Sequence, residues 1–237
     1  MKTFKGLMLT LFSGSIILIL ALSNGYTVVY RKGNRLNVLA SSLNMRAQPS
    51  IKAKKVRKIP YGARVIVLEK TKSAFKSEGI KGHWVKVKYG KRIGYVFDGY
   101  LTKRPVPPKN CKGLKHYADS KLGKIGKKPK KIYERHKGTD AYNAKYVQHY
   151  KQNSAKIEIE EGYEWYSVAL TLKNISVEEA FLIARMCGKF YSAEHFRNKP
   201  YILNAKGQLK IIEEGYMALG LTIHKTLKGY VKITYKN

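Results

Sequence analysis

The chain has 237 residues, of which 44% are hydrophobic, and this leaves room for an N-terminal segment and two compact domains. It carries 47 Lys and Arg against 15 Asp and Glu, a formal net charge of +32. The hydrophobic content excludes a wholly disordered chain, and the charge predicts an anionic rather than a cationic partner.

The first 23 residues have the pattern of a secretory signal. Lys2 and Lys5 precede an uncharged apolar run at 7–22, and Ala21-Leu22-Ser23 is a small-residue cleavage pattern. The alternative is an uncleaved membrane anchor, for which a span of roughly 20 residues would be needed. We therefore expect export to the periplasm, the cell surface or the medium, with membrane anchoring if cleavage does not occur.

Residues 34–104 contain short strand patterns separated by turn signals, as in a small β-barrel. Strands are predicted at 36–40, 43–45 and 63–70. A tight turn at Gly90 is predicted to join a strand that contains Trp84 to a strand at 93–97. Residues 98–102 then close the unit.

A set of motif residues lies on these strands. Leu43-Asn44-Met45-Arg46 is followed by Pro49, and a Trp strand is followed by Gly94-Tyr95-Val96 and a closing Tyr100-Leu101. The set resembles the bacterial Src-homology-3 (SH3b) domain over about residues 34–104. The resemblance implies a small β-barrel that binds rather than catalyses, with a cell-wall or envelope ligand such as peptidoglycan or an anionic glycan.

The next segment, 105–138, is predicted to be a basic linker. Pro105, Pro107 and Pro108 forbid regular structure at its start, and residues 109–137 hold 11 Lys and Arg against Asp119 and Glu134. We expect this segment to be extended or only loosely packed.

Residues 139–237 are predicted to form an α+β domain, in which no family is recognised. Alternating patterns predict strands at 155–161 and 163–172, and Ser176 with Glu179 forms a capping box for a helix that stops at Gly188. Three closing strands follow, at 209–213, 219–224 and 230–235. The predicted fold class is thus mainly β: an SH3-like β-barrel, a basic linker and an α+β domain with a smaller helix content.

The two cysteines allow two interpretations. Cys111 and Cys187 form one disulfide if the protein folds in an oxidising compartment. Alternatively they are two unrelated thiols, with Cys187 a small buried hydrophobe on the helix.

The positive charge is concentrated in the first part of the chain. Residues 1–138 hold 33 Lys and Arg against 5 acidic residues, whereas residues 139–237 hold 14 against 10. The basic first loop argues against Pro-rich peptides, which SH3 domains bind with an acidic first loop. The resemblance and the charge together suggest ligand-binding residues on the barrel: Arg46, Lys52, Lys54, Lys55, Trp84, Lys86, Lys88, Tyr95 and Tyr100.

Several of these candidates also have a structural interpretation. Strand parity places Trp84 on the side opposite Val85, so it can lie outside the core beside Lys86 and Lys88. Barrel packing is the favoured role for Tyr95 and Tyr100. Arg46 is equally well explained as a structural bridge within its motif.

Enzymatic interpretations have little support in the sequence. A hydrolase using Cys187 is the main alternative, yet this cysteine lies at a predicted helix end, where the helix dipole disfavours a thiolate. Cys111, His116, Cys187 and His195 match no zinc spacing, no Gly-rich phosphate loop is present, and no metal or other cofactor is predicted.

We therefore predict an exported, envelope-associated, non-enzymatic binding protein whose SH3-like part recognises an anionic cell-wall or surface polymer. Lipopolysaccharide and a membrane surface are further anions in that setting. A basic barrel with aromatics also binds single-stranded nucleic acid, but the export signal argues against this as the main ligand.

Overall fold

The computed structural model describes residues 30–78, 80–126, 129, 132–135, 142–162, 165–187, 202–203, 209–212, 220–226 and 229–236. The predicted signal segment and His195 lie outside these ranges. No helix within them is both long and apolar enough to cross a membrane.

The first part of the described chain is a curled antiparallel sheet. Its seven strands are β1 (Arg35–Val38), β2 (Ser42–Arg46), β3 (Lys55–Pro60), β4 (Arg64–Ser77), β5 (Ile80–Tyr89), β6 (Arg92–Phe97) and β7 (Leu101–Thr102). They are ordered β3-β2-β6-β5-β4-β1-β7. Alternate residues point inward and form an aliphatic core that includes Leu36, Val38, Met45, Val65, Val67, Val85, Val87 and Val96. The predicted SH3-like barrel is confirmed.

Gly94 allows β2 and β6 to approach each other inside this barrel. A Cβ at this position would lie 2.6 Å from Cγ of Met45 and 2.7 Å from the carbonyl oxygen of Arg46. We expect Gly94→Ala to lower the free energy of unfolding by about 1 to 3 kcal/mol, because β2 must move away from β6. Equilibrium unfolding in urea measures this change. Ile93→Ala, at the exposed neighbour, is the control, and an equal loss in both variants would contradict the explanation.

The second part contains a larger antiparallel sheet. Its strands are β8 (Lys124–Ile125), β9 (Ile132–Arg135), β10 (Tyr142–Tyr150), β11 (Lys156–Glu161), β12 (Tyr166–Lys173), β13 (Ile202–Leu203), β14 (Leu209–Ile212), β15 (Gly220–Lys225) and β16 (Tyr230–Lys236). Their order is β13-β14-β15-β16-β12-β11-β10-β8, and β9 also pairs with β10. Together with the helices below, this sheet confirms the predicted mainly β fold class with an α+β second part.

Two helices, α1 (Leu114–Lys121) and α2 (Val177–Cys187), pack against the larger sheet and against each other. Helix α2 was predicted, and the Oγ of Ser176 accepts a hydrogen bond from the Glu179 amide at 3.0 Å, as expected of an N-cap. In the predicted capping box, the Glu179 side chain would also accept a hydrogen bond from the Ser176 amide. The Glu179 carboxylate instead accepts hydrogen bonds from Arg104 and Thr102.

Helix α1 contradicts the prediction of a loosely packed segment for this part of the linker. Leu114, Tyr117, Ala118 and Leu122 are buried in the core of the second part. The Tyr117 hydroxyl also donates a hydrogen bond to the carbonyl oxygen of Pro105, 2.9 Å away. Helical spacing places these four apolar residues on one side, so α1 buries them while its lysines point outward.

The two parts of the chain are joined by packing and by a covalent bond. Leu39, Ile80 and Phe97 of the SH3-like part belong to the same buried cluster as Tyr117 and Phe181. Cys111, which precedes α1, is bonded to Cys187, the last residue of α2. Of the two interpretations of the cysteines, the disulfide is the correct one.

Candidate functional site

The outward side of the SH3-like sheet gathers basic residues around one tyrosine. Tyr95 on β6 lies opposite Lys86 on β5 and opposite Arg46 on β2, and Arg46 lies opposite Lys55 on β3. Directly opposed residues of antiparallel strands project to the same side of a sheet. These four side chains therefore form one row across four strands.

A second row runs parallel to the first on the same side. It consists of Ile93 on β6, Lys88 on β5, Ile66 on β4 and Arg35 on β1, each opposite the next. Lys88 and Arg35 are exposed, and Ile93 is 52% exposed. We call the outward side formed by these two rows the cationic face.

Tyr95 lies within this face and is half-buried. The Lys86 ammonium nitrogen is 5.9 Å from the centre of the Tyr95 ring, within the range of a cation–π interaction. The ring thus borders a cation while part of it stays open to solvent. A ligand with both a negative charge and a flat apolar surface can contact the Lys86 ammonium with the first and the Tyr95 ring with the second.

The cationic face has little acidic charge to offset it. The window 34–104 contains 18 Lys and Arg and three acidic residues, Glu69, Glu78 and Asp98. Asp98 is buried, and Glu78 pairs with Arg185 of α2 at 2.8 Å. Glu69 is exposed and lies opposite Lys86, so it is the acidic residue of this window that adjoins the two rows.

Asp98 has a structural role that the sequence did not indicate. It accepts hydrogen bonds from the Tyr30 hydroxyl at 2.6 Å and from the His83 amide at 2.7 Å. Burial raises the pKa of the Asp98 carboxyl above its usual value, because desolvation penalises the charged form. This carboxyl therefore fastens the chain at Tyr30 to the barrel and takes no part in the cationic face.

The predicted exposure of Trp84 is wrong. Trp84 is 4% exposed, and its ring lies 5.2 Å from that of Phe75. Strand parity placed it correctly on the side opposite Val85, but β4 runs on to Ser77 and brings Phe75 over this part of β5. Phe97, directly opposite Trp84, belongs to the core shared with the second part. Trp84 therefore presents no open face to a ligand.

Tyr100 and Arg46 have structural contacts, in agreement with the alternatives stated for them. The Tyr100 hydroxyl donates a hydrogen bond to Ser77 Oγ at 2.9 Å, and its ring meets Phe97 edge-on. Burial raises the Tyr100 pKa. Arg46 is buried, and its Nη1 donates a hydrogen bond to the Ala53 carbonyl oxygen at 2.7 Å.

The Arg46 contact holds the loop between β2 and β3 against the barrel. Lys52 and Lys54 are exposed in this loop, and Lys55 is exposed at the start of β3. The structure thus places Lys55, Lys86, Lys88 and Tyr95 on one side of the barrel, and Lys52 and Lys54 in the exposed loop that precedes β3. It excludes Trp84 from that surface, and it brings in Arg35 and Ile93, which the opposite-strand register alone reveals.

The candidate nucleophile Cys187 is fully buried and engaged in the disulfide. No nucleophilic thiol is available at this position while the disulfide is intact. Among the described residues, no group of three or more His, Cys, Asp and Glu side chains is arranged to hold a metal ion.

Comparison with known proteins assigns the first part of the chain. Residues 41–102 match the family model described as a bacterial SH3 domain, and no family is recognised elsewhere in the chain. No curated protein matches the chain. The matched segment spans β2 to β7 and includes most of the cationic face, so the strands that carry Tyr95, Lys86 and Lys88 lie within the part of the chain that is similar to a bacterial SH3 domain.

Proposed function

We propose that the cationic face binds an anionic polymer of the cell wall or cell surface, of the peptidoglycan type. The observation that carries this proposal is the register of β3, β2, β6, β5, β4 and β1. It sets Lys55, Lys86, Lys88 and Arg35 on the same outward side as Tyr95, with Glu69 as the adjoining acid.

The geometry of a sheet suits an extended polyanion. Neighbouring strands are about 4.8 Å apart, so a row across four strands offers side chains over roughly 15 Å. A polymer with repeated negative groups can contact several cations at once, and each contact releases counterions. The match of residues 41–102 to the bacterial SH3 family model supports this ligand class, because such domains commonly bind cell walls.

The proposed setting is the cell envelope. The signal pattern of residues 1–23 supports export, and the disulfide between Cys111 and Cys187 suits an oxidising compartment. In this view residues 139–237 supply a different contact.

A salt series of binding to purified cell-wall sacculi tests the proposal. We expect Lys86→Gln/Lys88→Gln to weaken binding at least tenfold at low salt and to reduce the slope of log affinity against log salt by about one per lysine. The control variant is Lys151→Gln/Lys225→Gln, which removes two exposed lysines of the second part. The protein for this experiment is purified from outside the cell. Identifying its N-terminal residue then shows whether cleavage occurs after Ser23.

Lipopolysaccharide and single-stranded DNA are measured in parallel at the same ionic strengths. Tighter binding to DNA than to sacculi would contradict the proposal and favour the nucleic-acid alternative. An equal loss of sacculus binding in the control variant would show that net charge, rather than the cationic face, carries the interaction. Tyr95→Leu distinguishes ring contact from charge, since it removes the hydroxyl-bearing ring and keeps an apolar side chain.

A further inference from the structure

One edge of the larger sheet exposes apolar side chains among lysines. Strands β8 and β9 both pair with β10, and no strand of the described residues pairs with their other side. Ile125 on β8 is 48% exposed, and Ile132 and Tyr133 on β9 are each 61% exposed. With the exposed Lys121 and Lys124, these residues form what we call the edge patch.

The register shows how the apolar members are arranged. Ile125 lies opposite His149, and Ile132 lies opposite Lys145, which is four residues away on β10. Both isoleucines are therefore on the same side of the sheet, about 13 Å apart along the edge. Tyr133 lies opposite Ala144 and so projects from the other side. The apolar surface thus wraps around the edge.

Protection of a sheet edge against pairing explains the lysines of the edge patch but not its apolar residues. Lysines are common on edge strands, where they prevent pairing with other chains. Exposed isoleucine and tyrosine have the opposite effect, since they make an edge more adhesive. Single exposed apolar residues are ordinary on a protein surface, but Ile125 and Ile132 lie on the same side of one sheet edge, where they form an adhesive surface.

The local charge identifies the chemistry of that partner. Residues 120–137 contain eight Lys and Arg and one acidic residue, Glu134. The nearby Asp119 is already engaged, since it accepts hydrogen bonds from Lys115 and the Tyr150 hydroxyl and lies 3.3 Å from the Lys124 ammonium. These contacts lower the Asp119 pKa despite its partial burial, so this carboxylate stays charged and paired. This stretch of the sequence is therefore strongly cationic, and Lys121 and Lys124 are its exposed members in the edge patch.

We propose that the edge patch docks on the surface of an anionic phospholipid bilayer. The lysines lie among the headgroups, where basic side chains next to apolar ones strengthen attachment. Ile125 and Ile132 enter the boundary with the acyl chains, and Tyr133 sits at the interface, which suits a ring with one polar end. A charged polymer in water would engage the lysines and leave the isoleucines exposed, so the apolar members favour a bilayer.

Fluorescence quenching by brominated lipids tests this placement on the full chain. Vesicles contain phosphatidylglycerol and brominated phosphatidylcholine, and a tryptophan is introduced by Tyr133→Trp. We expect clear quenching of this tryptophan, referenced to the parent chain with its own Trp84 and Trp165. The matched control is Ile93→Trp, whose parent side chain is similarly exposed, at 52%, but lies on the cationic face. Comparing two positions in one chain removes the contribution of the apolar N-terminal run.

A second measurement separates insertion from charge. We expect Ile125→Ser/Ile132→Ser to lower the partition coefficient onto these vesicles about tenfold or more, because less apolar surface leaves water. Ile51→Ser/Ile93→Ser removes two other exposed isoleucines and should change partition less than twofold. Circular dichroism is used to check that both double variants fold. We expect them to fold because the substituted side chains are exposed.

Three results would overturn the proposal. Equal quenching at positions 133 and 93 would show general adsorption of the cationic chain. An unchanged partition of Ile125→Ser/Ile132→Ser would show that lysines alone act, as in binding to a soluble polyanion. Concentration-dependent dimerisation that these two substitutions abolish would assign the edge to a second copy of the chain. The variants at Ile125, Ile132 and Tyr133 leave the cationic face unaltered, so the wall-binding proposal stands or falls separately.

Discussion

Replacing Arg104 by methionine is expected to lower the free energy of unfolding by about 3 to 5 kcal/mol, because it leaves the buried Glu179 carboxylate without its counter-charge. Arg104 Nη1 lies 3.0 Å from each carboxylate oxygen of Glu179, and Nη2 donates to the Lys173 carbonyl oxygen at 3.0 Å. Both side chains are buried. Equilibrium unfolding in urea, followed by circular dichroism, measures the loss.

Two further variants make this prediction specific. Arg64→Met removes an exposed arginine of the same barrel and should change stability by no more than about 0.5 kcal/mol. Arg104→Met/Glu179→Met replaces both charges with apolar groups and should recover much of the loss, since no buried charge remains unpaired. A loss below about 1 kcal/mol for Arg104→Met, or a double variant less stable than the single one, would contradict this account.

Removing the disulfide is expected to have a comparable effect. Cys111 and Cys187 are 76 residues apart, and in the chain-entropy model a cross-link over this distance stabilises the folded state by about 4 to 5 kcal/mol. We expect Cys111→Ala/Cys187→Ala to lose about this amount. Alanine is preferred to serine because Cys187 is fully buried, and a hydroxyl there would add its own desolvation cost.

A reducing agent provides the matching control. The urea midpoint of the parent chain should fall when the disulfide is reduced, whereas the midpoint of the double alanine variant should not respond. If the parent chain reacts with a thiol reagent before reduction and its midpoint is insensitive to reductant, the disulfide is not a stabilising element of the folded protein.

The SH3-like barrel could be predicted because its signals are local. Strands of period two, the Gly94-Tyr95-Val96 motif and the turn at Gly90 each specify a short piece of backbone. The structure adds the reason for the glycine of that motif, which is the close approach of Met45. The helix α2 was predicted for the same kind of reason, since Ser176 caps it and its apolar residues keep helical spacing.

The features that were missed depend on residues distant in sequence. The high charge of residues 109–137 suggested an extended segment, so the helical spacing of Leu114, Tyr117 and Ala118 was missed. These three residues are buried because they pack against a sheet whose strands lie later in the chain. Glu179 fitted a capping box, yet the arginine that engages it is 75 residues away. A local sequence pattern cannot show whether a side chain such as that of Glu179 contacts a distant residue or solvent.

The candidate site was predicted in composition but not in arrangement. Tyr95 was identified from the motif, with barrel packing as its favoured role, and Lys86 and Lys88 from charge and strand parity. The structure places all three on one outward side of the barrel. Trp84 was assigned to the same surface because strand parity shows to which side of the sheet a residue projects, but not which other residues cover it there. Arg35 and Ile93 were missed because the register that aligns them with Lys88 requires the pairing of β1, β4, β5 and β6.

The buried cluster that joins both parts bears on how this chain can be divided. Small β-barrels are commonly exchanged between proteins as independent units, but Leu39, Ile80 and Phe97 of this barrel are covered by residues of the second part. Cut out at residue 104, the barrel would expose these three side chains and lose the partner of Arg104. Its recombination into another protein would therefore require a new cover for that surface.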